Sequence, residues 1–280
     1  KEKEINSVLI DIKEVDWYIS FEIDDNKFWD IKPKSNNRIK DINNIIKKLH
    51  DNDIYVIARI AVFKDSRLAN NRPDLAIKWS SDINKIWSDY KWNKYTDPYS
   101  KEVWDYHKEL AVAVYELWFD EINFDYVRFP TDGYVYQTYY PFSKEIYNLD
   151  KKWWRIKVID KFSNYITSEI RKINSDIPLS VDVFWLVTDT NLYQIWQNLE
   201  SFLLYFDYIA PMVYPSHYWK GYYGYNNPDN NPYEIINTAL KNAIEKIEKL
   251  NLEIKNSKIE YRNIKLNDNF EFDIKNNDLV

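Results

Sequence analysis

The pattern of apolar and polar positions predicts strands and helices that alternate along the whole chain. Short apolar runs of strand length recur, and between them apolar residues return every three or four positions, as on one face of a helix. The predicted strands are Ser7–Lys13, Tyr55–Phe63, Phe119–Arg128, Pro178–Phe184 and Phe206–Tyr214. Strands that alternate with helices form a parallel sheet with crossover helices. Because acids or tyrosines end several of these strands, a closed (β/α) barrel fits better than an open sheet.

The segments between the predicted strands differ in how clearly they indicate helices. Helical spacing of apolar residues predicts helices over Ile39–Leu49, Val103–Leu117, Ile159–Ile173 and Leu192–Leu204, and a last helix that begins at Pro232 after the cap Asn231. Residues 64–97 are expected to form a long, irregular excursion with short helical pieces, and residues 131–150 a tyrosine-rich loop. We expect residues 1–250 to form the barrel domain. Residues 251–280, rich in Asn and Lys, form a divergent C-terminal segment, either a barrel end or a tail.

The stretch FDEINFDYVRFPTDG, residues 119–133, carries the most chemical information. Side chains alternate along a strand, so Glu121, Asn123 and Asp125 share one face, while apolar residues share the other. An acid on the inward face, at the C-terminal end of a parallel strand, is where barrel enzymes carry their catalytic groups. The alternative is that Asp125 pairs with Arg128 to finish a loop, and the pattern alone does not separate the two readings.

A second charged residue lies inside an apolar run. Arg59 stands in the middle of YVIARIAVF, and a charge inside such a run needs a partner. A carboxylate in the barrel interior is the expected partner. Asp182 lies near the end of the fourth predicted strand, and Asp11 shares one face of the first strand with Leu9 and Lys13.

Composition and charge exclude several classes of function. Of the 280 residues 45% are hydrophobic, which is enough for a sizeable core. A net charge of −6 argues against a nucleic-acid partner, which would need a basic face. The chain has no cysteine, so zinc, iron–sulfur and Cys-nucleophile sites are not expected; we expect no cofactor and no metal. No apolar run has membrane-spanning length and no signal peptide leads the chain, so secretion or cell-surface attachment would require a signal upstream of it.

Glycine is scarce, and tryptophan stands at several positions that favour it. Only 3 residues are glycine, against a usual share of about 7%. Trp118 directly follows a predicted helix, where a left-handed residue, usually glycine, ends the helix. Trp17 follows an aspartate between two strand-like segments, where Asp-Gly is common, and Trp92 lies in a turn-like segment. We hypothesise that some of these tryptophans are encoded by UGA and that the source organism reads UGA as glycine.

Six ordered motifs, between about Ile5 and Leu240, resemble one known family. The motifs are IYVIARIAVFKD, LANNRPDLAIK, TDPYSKEVWDY, FDEINFDYVRFPTDG, SVDVF and DYIAPMVYPSHY. They resemble the bacterial glycoside-hydrolase-like barrel family, a domain of unknown function. The resemblance implies an α/β (β/α)8 TIM-type barrel and a carbohydrate substrate, and says nothing of oligomeric state. The family also has a strand before Ile5 and strands after the Pro232 helix, so the resemblance leaves open whether this barrel lacks its first and last strands.

The same resemblance bears on the tryptophans. Family members have glycine where Trp17, Trp92, Trp118, Trp185 and Trp196 stand in this chain. This agreement is independent of the turn argument and supports the recoding hypothesis.

Glycoside hydrolysis needs two carboxyl groups that flank the bond, and the resemblance places Asp125 where many glycosidase barrels carry one. We predict Asp125 as nucleophile or charge stabiliser and Asp182 as general acid, with burial raising the pKa of Asp182 and Arg59 or Arg128 keeping Asp125 ionised. The alternative to the general-acid role is that Asp182 is only a structural partner of Arg59.

The remaining candidates are substrate-binding residues. They are Asp11, Arg59, Arg128, Tyr214 and His217. Asp11 could instead replace either catalytic acid. Tyr214 could instead only pack in the barrel. Glu121 is expected to be a buried structural acid. Two other functions stay open at this point: a carbohydrate-binding barrel without turnover, and a structural or partner-binding barrel.

Overall fold

The computed structural model describes residues 5–15, 19–21, 39–149, 151–189 and 195–255. Within them the strands are β1 (Ser7–Lys13), β2 (Tyr55–Ala61), β3 (Lys78–Trp79), β4 (Asp82–Ile86), β5 (Glu121–Asp125), β6 (Thr138–Tyr139), β7 (Leu179–Phe184) and β8 (Tyr208–Met212). The helices are α1 (Ile42–His50), α2 (Ser66–Asn71), α3 (Lys101–Tyr115), α4 (Lys144–Leu149), α5 (Trp154–Ile173), α6 (Leu199–Phe202) and α7 (Pro232–Lys255).

The five strands predicted from the sequence form one parallel sheet in the order β1-β2-β5-β7-β8. The prediction of an α/β fold with a parallel sheet is therefore confirmed. The sheet is open within the described residues, because β1 and β8 each have a single neighbouring strand there. The described part of the chain does not close a barrel.

The two faces of this sheet differ in polarity. On one face Ala58, Ile60, Phe124 and Val181 are fully buried in the hydrophobic core, which also contains apolar residues of α3 and α5. The opposite face carries the polar side chains of the central strands, including Arg59. Since side chains alternate along each strand, the register between the strands brings these polar groups side by side.

The two long loops expected from the sequence are partly ordered sheet, so that expectation is wrong in detail. Strands β3 and β4 from the first loop and β6 from the second form an antiparallel sheet in the order β4-β3-β6. The buried carboxylate of Asp97 accepts hydrogen bonds from the Phe142 backbone and the Ser143 hydroxyl. Strands as short as β3 and β6 leave too little periodicity in the sequence to be recognised.

Two helix predictions also change. The described part of Leu192–Leu204 is helical only over α6, and residues 190–194 lie outside the described residues. The last helix starts at Pro232 as predicted and continues past residue 250 to Lys255, while residues 256–280 lie outside the described residues. Among the helices that the structure describes, none combines the length and apolar character needed to cross a membrane.

Three of the tryptophans suspected of standing for glycine have left-handed backbones. The φ angles are 65° at Trp92, 73° at Trp118 and 62° at Trp196, a region that disfavours residues with a Cβ. Trp185 instead starts a short 3-10 helix and is buried, with its ring centroid 3.9 Å from that of Tyr218, so its backbone gives no reason for glycine. Trp17 lies outside the described residues.

Replacing Trp118 with glycine is expected to raise the free energy of unfolding by about 1 kcal/mol, because glycine removes the strain of a left-handed residue. Trp118 is 76% exposed, so its ring contributes little burial. Chemical denaturation of the two proteins measures the difference. Trp118→Ala keeps the Cβ, so its free energy of unfolding should rise much less. Trp219→Gly, at an exposed residue without a left-handed φ, should not raise the free energy of unfolding. Equal stabilisation by all three substitutions would contradict the strain argument.

Candidate active site

Four of the predicted site residues meet at one guanidinium group. Arg59 donates from Nη1 to Oδ1 of Asp11 at 2.7 Å and from Nε to Oδ2 of Asp182 at 3.0 Å. Its Nη2 donates to Oδ2 of Asp125 in a short hydrogen bond. Three carboxylates from three different strands therefore share one cation. We call Asp11, Arg59, Asp125 and Asp182 the acid cluster.

The strand register explains why residues so far apart in sequence meet. Arg59 is paired with Asp11 on one side and with Asn123 on the other, and Ala61 is paired with Asp125. Asp125 is the last residue of β5. The cluster thus lies toward the C-terminal ends of parallel strands, the end at which α/β enzymes bind their ligands.

A β-bulge in β1 separates Asp11 from Lys13, which the sequence placed on one face. The register shifts between these two residues, and such a bulge re-aims the side chains beyond it. Lys13 is buried, forms an ion pair with Asp65 at 2.8 Å and donates to the Ala61 carbonyl. Asp65 also caps α2 by accepting from the Arg67 and Leu68 backbone. Lys13 consequently belongs to the structural core and not to the acid cluster.

Asp125 is held by the backbone that follows it. Its Oδ1 accepts from the Tyr126 N–H at 2.6 Å, and Tyr126 has a left-handed φ of 53°. Backbone strain of this kind is concentrated at functional sites. The Tyr126 ring also lies within cation–π distance of Lys64 Nζ, at 5.0 Å, and of Arg128 Cζ, at 5.3 Å. Tyr126 and Lys64 were not predicted from the sequence, because no spacing rule identifies a strained residue or a cation that lies over its ring.

Asp182 is fixed by a chain of hydrogen bonds along the polar face of the sheet. Asn123 Nδ2 donates to Asp182 Oδ1 at 3.1 Å and to the Ser180 hydroxyl at 3.0 Å. Ser180 in turn donates to Glu121, which also accepts from the Tyr55 hydroxyl. Glu121 is buried and lies at the far end of this chain of contacts, so the structure gives it the structural position expected from the sequence. The role of Asn123 was missed, although its place between Glu121 and Asp125 was the available signal.

Burial and charge set the protonation of the two central acids. Burial, and then the neighbouring Asp125 charge, raise the pKa of Asp182 to about 6, against the opposing effect of Arg59. Burial also raises the pKa of Asp125, because it outweighs the opposing effects of Arg59 and Arg128. Arginine therefore limits the rise at Asp125 without reversing it. The cluster holds a proton near Asp182 at mildly acidic pH, as a general acid requires.

The other predicted residues lie outside the hydrogen bonds of the cluster. Arg128 donates to the Thr131 hydroxyl at 3.1 Å and to the Phe129 carbonyl, so it does not form the loop-closing pair with Asp125 that was the alternative reading. Tyr214 and His217 follow β8, are both exposed, and pack edge-to-face with ring centroids 5.2 Å apart. The structure shows them in contact with each other and in no hydrogen bond with the described acids.

A cavity of about 650 Å³ lies at the opposite end of the sheet. His50, Tyr55, Trp118, Asp120 and Pro178 are among its lining residues, and His50 Nε2 lies 2.9 Å from Asp120 Oδ2. These residues lie at or near the N-terminal ends of β2, β5 and β7, the end of such sheets that contributes stability more than chemistry. The acid cluster is not part of this cavity.

One family model matches almost the whole chain. The family model described as "Putative glycosyl hydrolase domain" matches residues 1–266. The chain belongs to this glycosyl hydrolase-like family. Its match covers all the described strands, including the four that supply the acid cluster.

Solved structures of similar fold support the assignment. A hypothetical protein from Ruminiclostridium thermocellum is 30% identical, with a TM-score of 0.51 over 65% of this chain and 85% of that one. The glycoside hydrolase domain of PgaB (BpsB) from Bordetella bronchiseptica is 13% identical, with a TM-score of 0.56 over 85% of this chain and 71% of that one. The second likeness shows the fold alone. No curated protein matches this family member in sequence.

Proposed function

We propose that this protein is a glycoside hydrolase that cleaves a bond in a poly- or oligosaccharide with Asp125 and Asp182. The observation that carries the proposal is the pair of carboxylates bound to adjacent nitrogens of Arg59, on the inward face of a parallel sheet. The family supports the same reaction class. The proposal includes a (β/α)8 barrel, in which further strands would pair with the open edges of β1 and β8.

The two acids have different parts in the proposed reaction. Asp182, with its raised pKa, donates its proton to the glycosidic oxygen, and the leaving sugar departs as an alcohol. Asp125 attacks the anomeric carbon from the other side and forms a glycosyl ester. Asp182, now ionised, then takes a proton from water, and this water displaces Asp125. Arg59 orients both carboxylates throughout.

The proposed reaction retains the anomeric configuration. Inverting enzymes separate their acids by roughly 6.5–9.5 Å to admit a water, whereas retaining enzymes keep them roughly 5–5.5 Å apart. Because Asp125 and Asp182 accept from neighbouring nitrogens of one guanidinium, they lie side by side. Asp11, the third partner of Arg59, is then free to hold a sugar hydroxyl.

Substitution of Asp125 separates an enzyme from a binding protein. Wild type and Asp125→Asn are incubated with a panel of polysaccharides and aryl glycosides, and released reducing ends are measured. We expect wild type to hydrolyse at least one substrate, and Asp125→Asn to bind that substrate while its rate falls at least about 100-fold, because the nucleophile is lost. Asp176→Asn, at an exposed acid just before β7, should leave the rate unchanged.

Binding without hydrolysis by the wild-type protein, across the whole panel, would favour the carbohydrate-binding function instead. Hydrolysis at an unchanged rate in Asp125→Asn would show that another residue attacks the sugar.

A further inference from the structure

A second cavity, of about 430 Å³, lies where α4 and the start of α5 meet the segment around β6. Its volume is within the roughly 300–1,000 Å³ typical of small-molecule sites. Three cations, Lys144, Lys151 and Arg155, line it together with the rings of Tyr140, Tyr147 and Trp154. It shares no residue with the acid cluster.

The charge of this cavity is opposite to that of the whole protein. The chain has a net charge of −6, yet the lining contains three cations and, among the described residues, no carboxylate. Elsewhere in the described chain, Arg59, Arg72 and Arg171 all form salt bridges with acids. Arg155 forms none with the described residues. A cluster of cations without carboxylate partners is a site for an anion.

Arg155 is held in place by aromatic rings. Its Cζ atom lies 4.5 Å from the ring centroid of Trp154 and 5.6 Å from those of Tyr140 and Phe129. Stacking fixes the plane of a guanidinium group without using its N–H donors. Of the five donors that an arginine has, most therefore remain for a planar anion such as a carboxylate.

The cavity is connected to the acid cluster by two consecutive residues. Gln197 directly follows Trp196, which lies beside Arg155 but is not among the residues that line the cavity. Gln197 accepts from the Phe184 N–H at 2.9 Å and donates to the Asp182 carbonyl at 3.4 Å. Gln197 thus links the segment beside Arg155 to the C-terminal end of β7, where Asp182 lies.

We propose that this cavity binds a carboxylate-bearing sugar, such as a hexuronate unit of an acidic glycan. Arg155 receives the carboxylate bidentately, Lys144 and Lys151 add positive charge, and the rings of Tyr147 and Trp154 offer apolar surface to the sugar ring. The aromatic walls favour a sugar over a bare oxyanion, which would leave them without contacts. The proposal rests on the proposed function only in taking the ligand to be a carbohydrate.

Ligand-observed NMR titration of the Asp125→Asn protein tests the proposal without depending on hydrolysis. The probes are glucuronate, glucose and inorganic phosphate. We expect glucuronate to bind at least tenfold more tightly than glucose or phosphate, with an affinity that falls as salt is added. Arg155→Gln and, separately, Lys151→Glu should each weaken glucuronate binding about tenfold, while Lys85→Glu, at an exposed lysine of β4, should have no effect.

Each other outcome has a definite meaning. Equal binding of glucose and glucuronate, or glucuronate binding unchanged in Lys151→Glu, would overturn the proposal. Phosphate binding as tight as glucuronate binding would overturn the sugar assignment, because the site would then recognise only the negative charge of its ligand. If Arg155→Gln fails to fold, Lys151→Glu and Lys144→Glu decide the matter, since both lysines are exposed. Failure of hydrolysis by the wild-type enzyme leaves these results unaffected.

Discussion

Replacing Arg59 with methionine is expected to lower the free energy of unfolding at pH 7 by about 3 kcal/mol. The change leaves the carboxylates of Asp11, Asp125 and Asp182 without their shared cation, and breaking a buried ion pair from one side costs roughly 3–5 kcal/mol. The lower end applies because the Arg59 side chain is 26% exposed. Chemical denaturation of wild type and variant measures the loss.

The loss should depend on pH in a definite direction. Without Arg59 the folded-state pKa values of Asp125 and Asp182, already raised by burial, rise further, so the native state binds more protons than the unfolded state between the ordinary Asp value, about 3.9, and the raised values. Stability of the variant therefore falls as pH rises through that window and recovers at lower pH. Arg171→Met, which breaks an exposed pair with Asp207, should cost less than about 1 kcal/mol at any of these pH values. An equal, pH-independent loss in both variants would contradict the shared-cation description.

Replacing Asp182 with asparagine is expected to lower kcat by about 10²–10⁴-fold, the usual contribution of a general acid. In the wild type, the rate should fall as pH rises above about 6, the pKa of Asp182, because the proton to be donated is lost. In Asp182→Asn this decline should disappear, since asparagine does not titrate. Initial rates across pH 4.5–8, chosen to bracket that pKa by about 1.5 units or more on either side, measure both effects.

The same variant should be more stable than wild type at neutral pH, by about 1 kcal/mol. Because burial and Asp125 raise the folded-state pKa of Asp182 to about 6, ionising Asp182 costs the wild type stability as pH rises from the ordinary Asp value to about 6. Asparagine removes that cost and keeps an oxygen for Arg59, but its amide nitrogen cannot accept from Asn123 as Oδ1 does, which limits the gain to about 1 kcal/mol. Reduced activity together with increased stability identifies a residue kept for catalysis. A less stable Asp182→Asn protein with unchanged kcat would identify Asp182 as a structural partner of Arg59.

The sequence predicted the main sheet because the long strands repeat a strong pattern. Ser7–Lys13 is reproduced residue for residue, and the other four strands differ only at their ends, where pattern-based boundaries are least certain. The small sheet of β3, β4 and β6 escaped prediction because its partners come from two loops far apart in the chain. Pairing at that distance depends on tertiary contacts that a local pattern does not contain.

The candidate site was partly predictable for the same reason. An arginine in an apolar run and acids at strand ends are anomalies that sequence alone displays, and the structure brings Asp11, Arg59, Asp125 and Asp182 together. Asp11 lies on the polar face of the sheet, whereas Lys13 points into the core. This difference depends on the shift of register between them, which no residue pattern reveals. The stacked Arg155 was equally hidden, since its rings come from separate elements that meet only in the fold.

The most direct test of the proposed reaction is to locate a trapped glycosyl group on the protein. Wild type, Asp125→Asn and Asp176→Asn are treated with activated 2-deoxy-2-fluoro glycosides matched to whichever substrate is cleaved, digested, and mapped by mass spectrometry. We expect one sugar on the peptide that contains Asp125 in wild type and Asp176→Asn, and none in Asp125→Asn. A sugar carried by a different residue, or turnover that inverts the anomeric centre and leaves no adduct, would contradict Asp125 as the nucleophile.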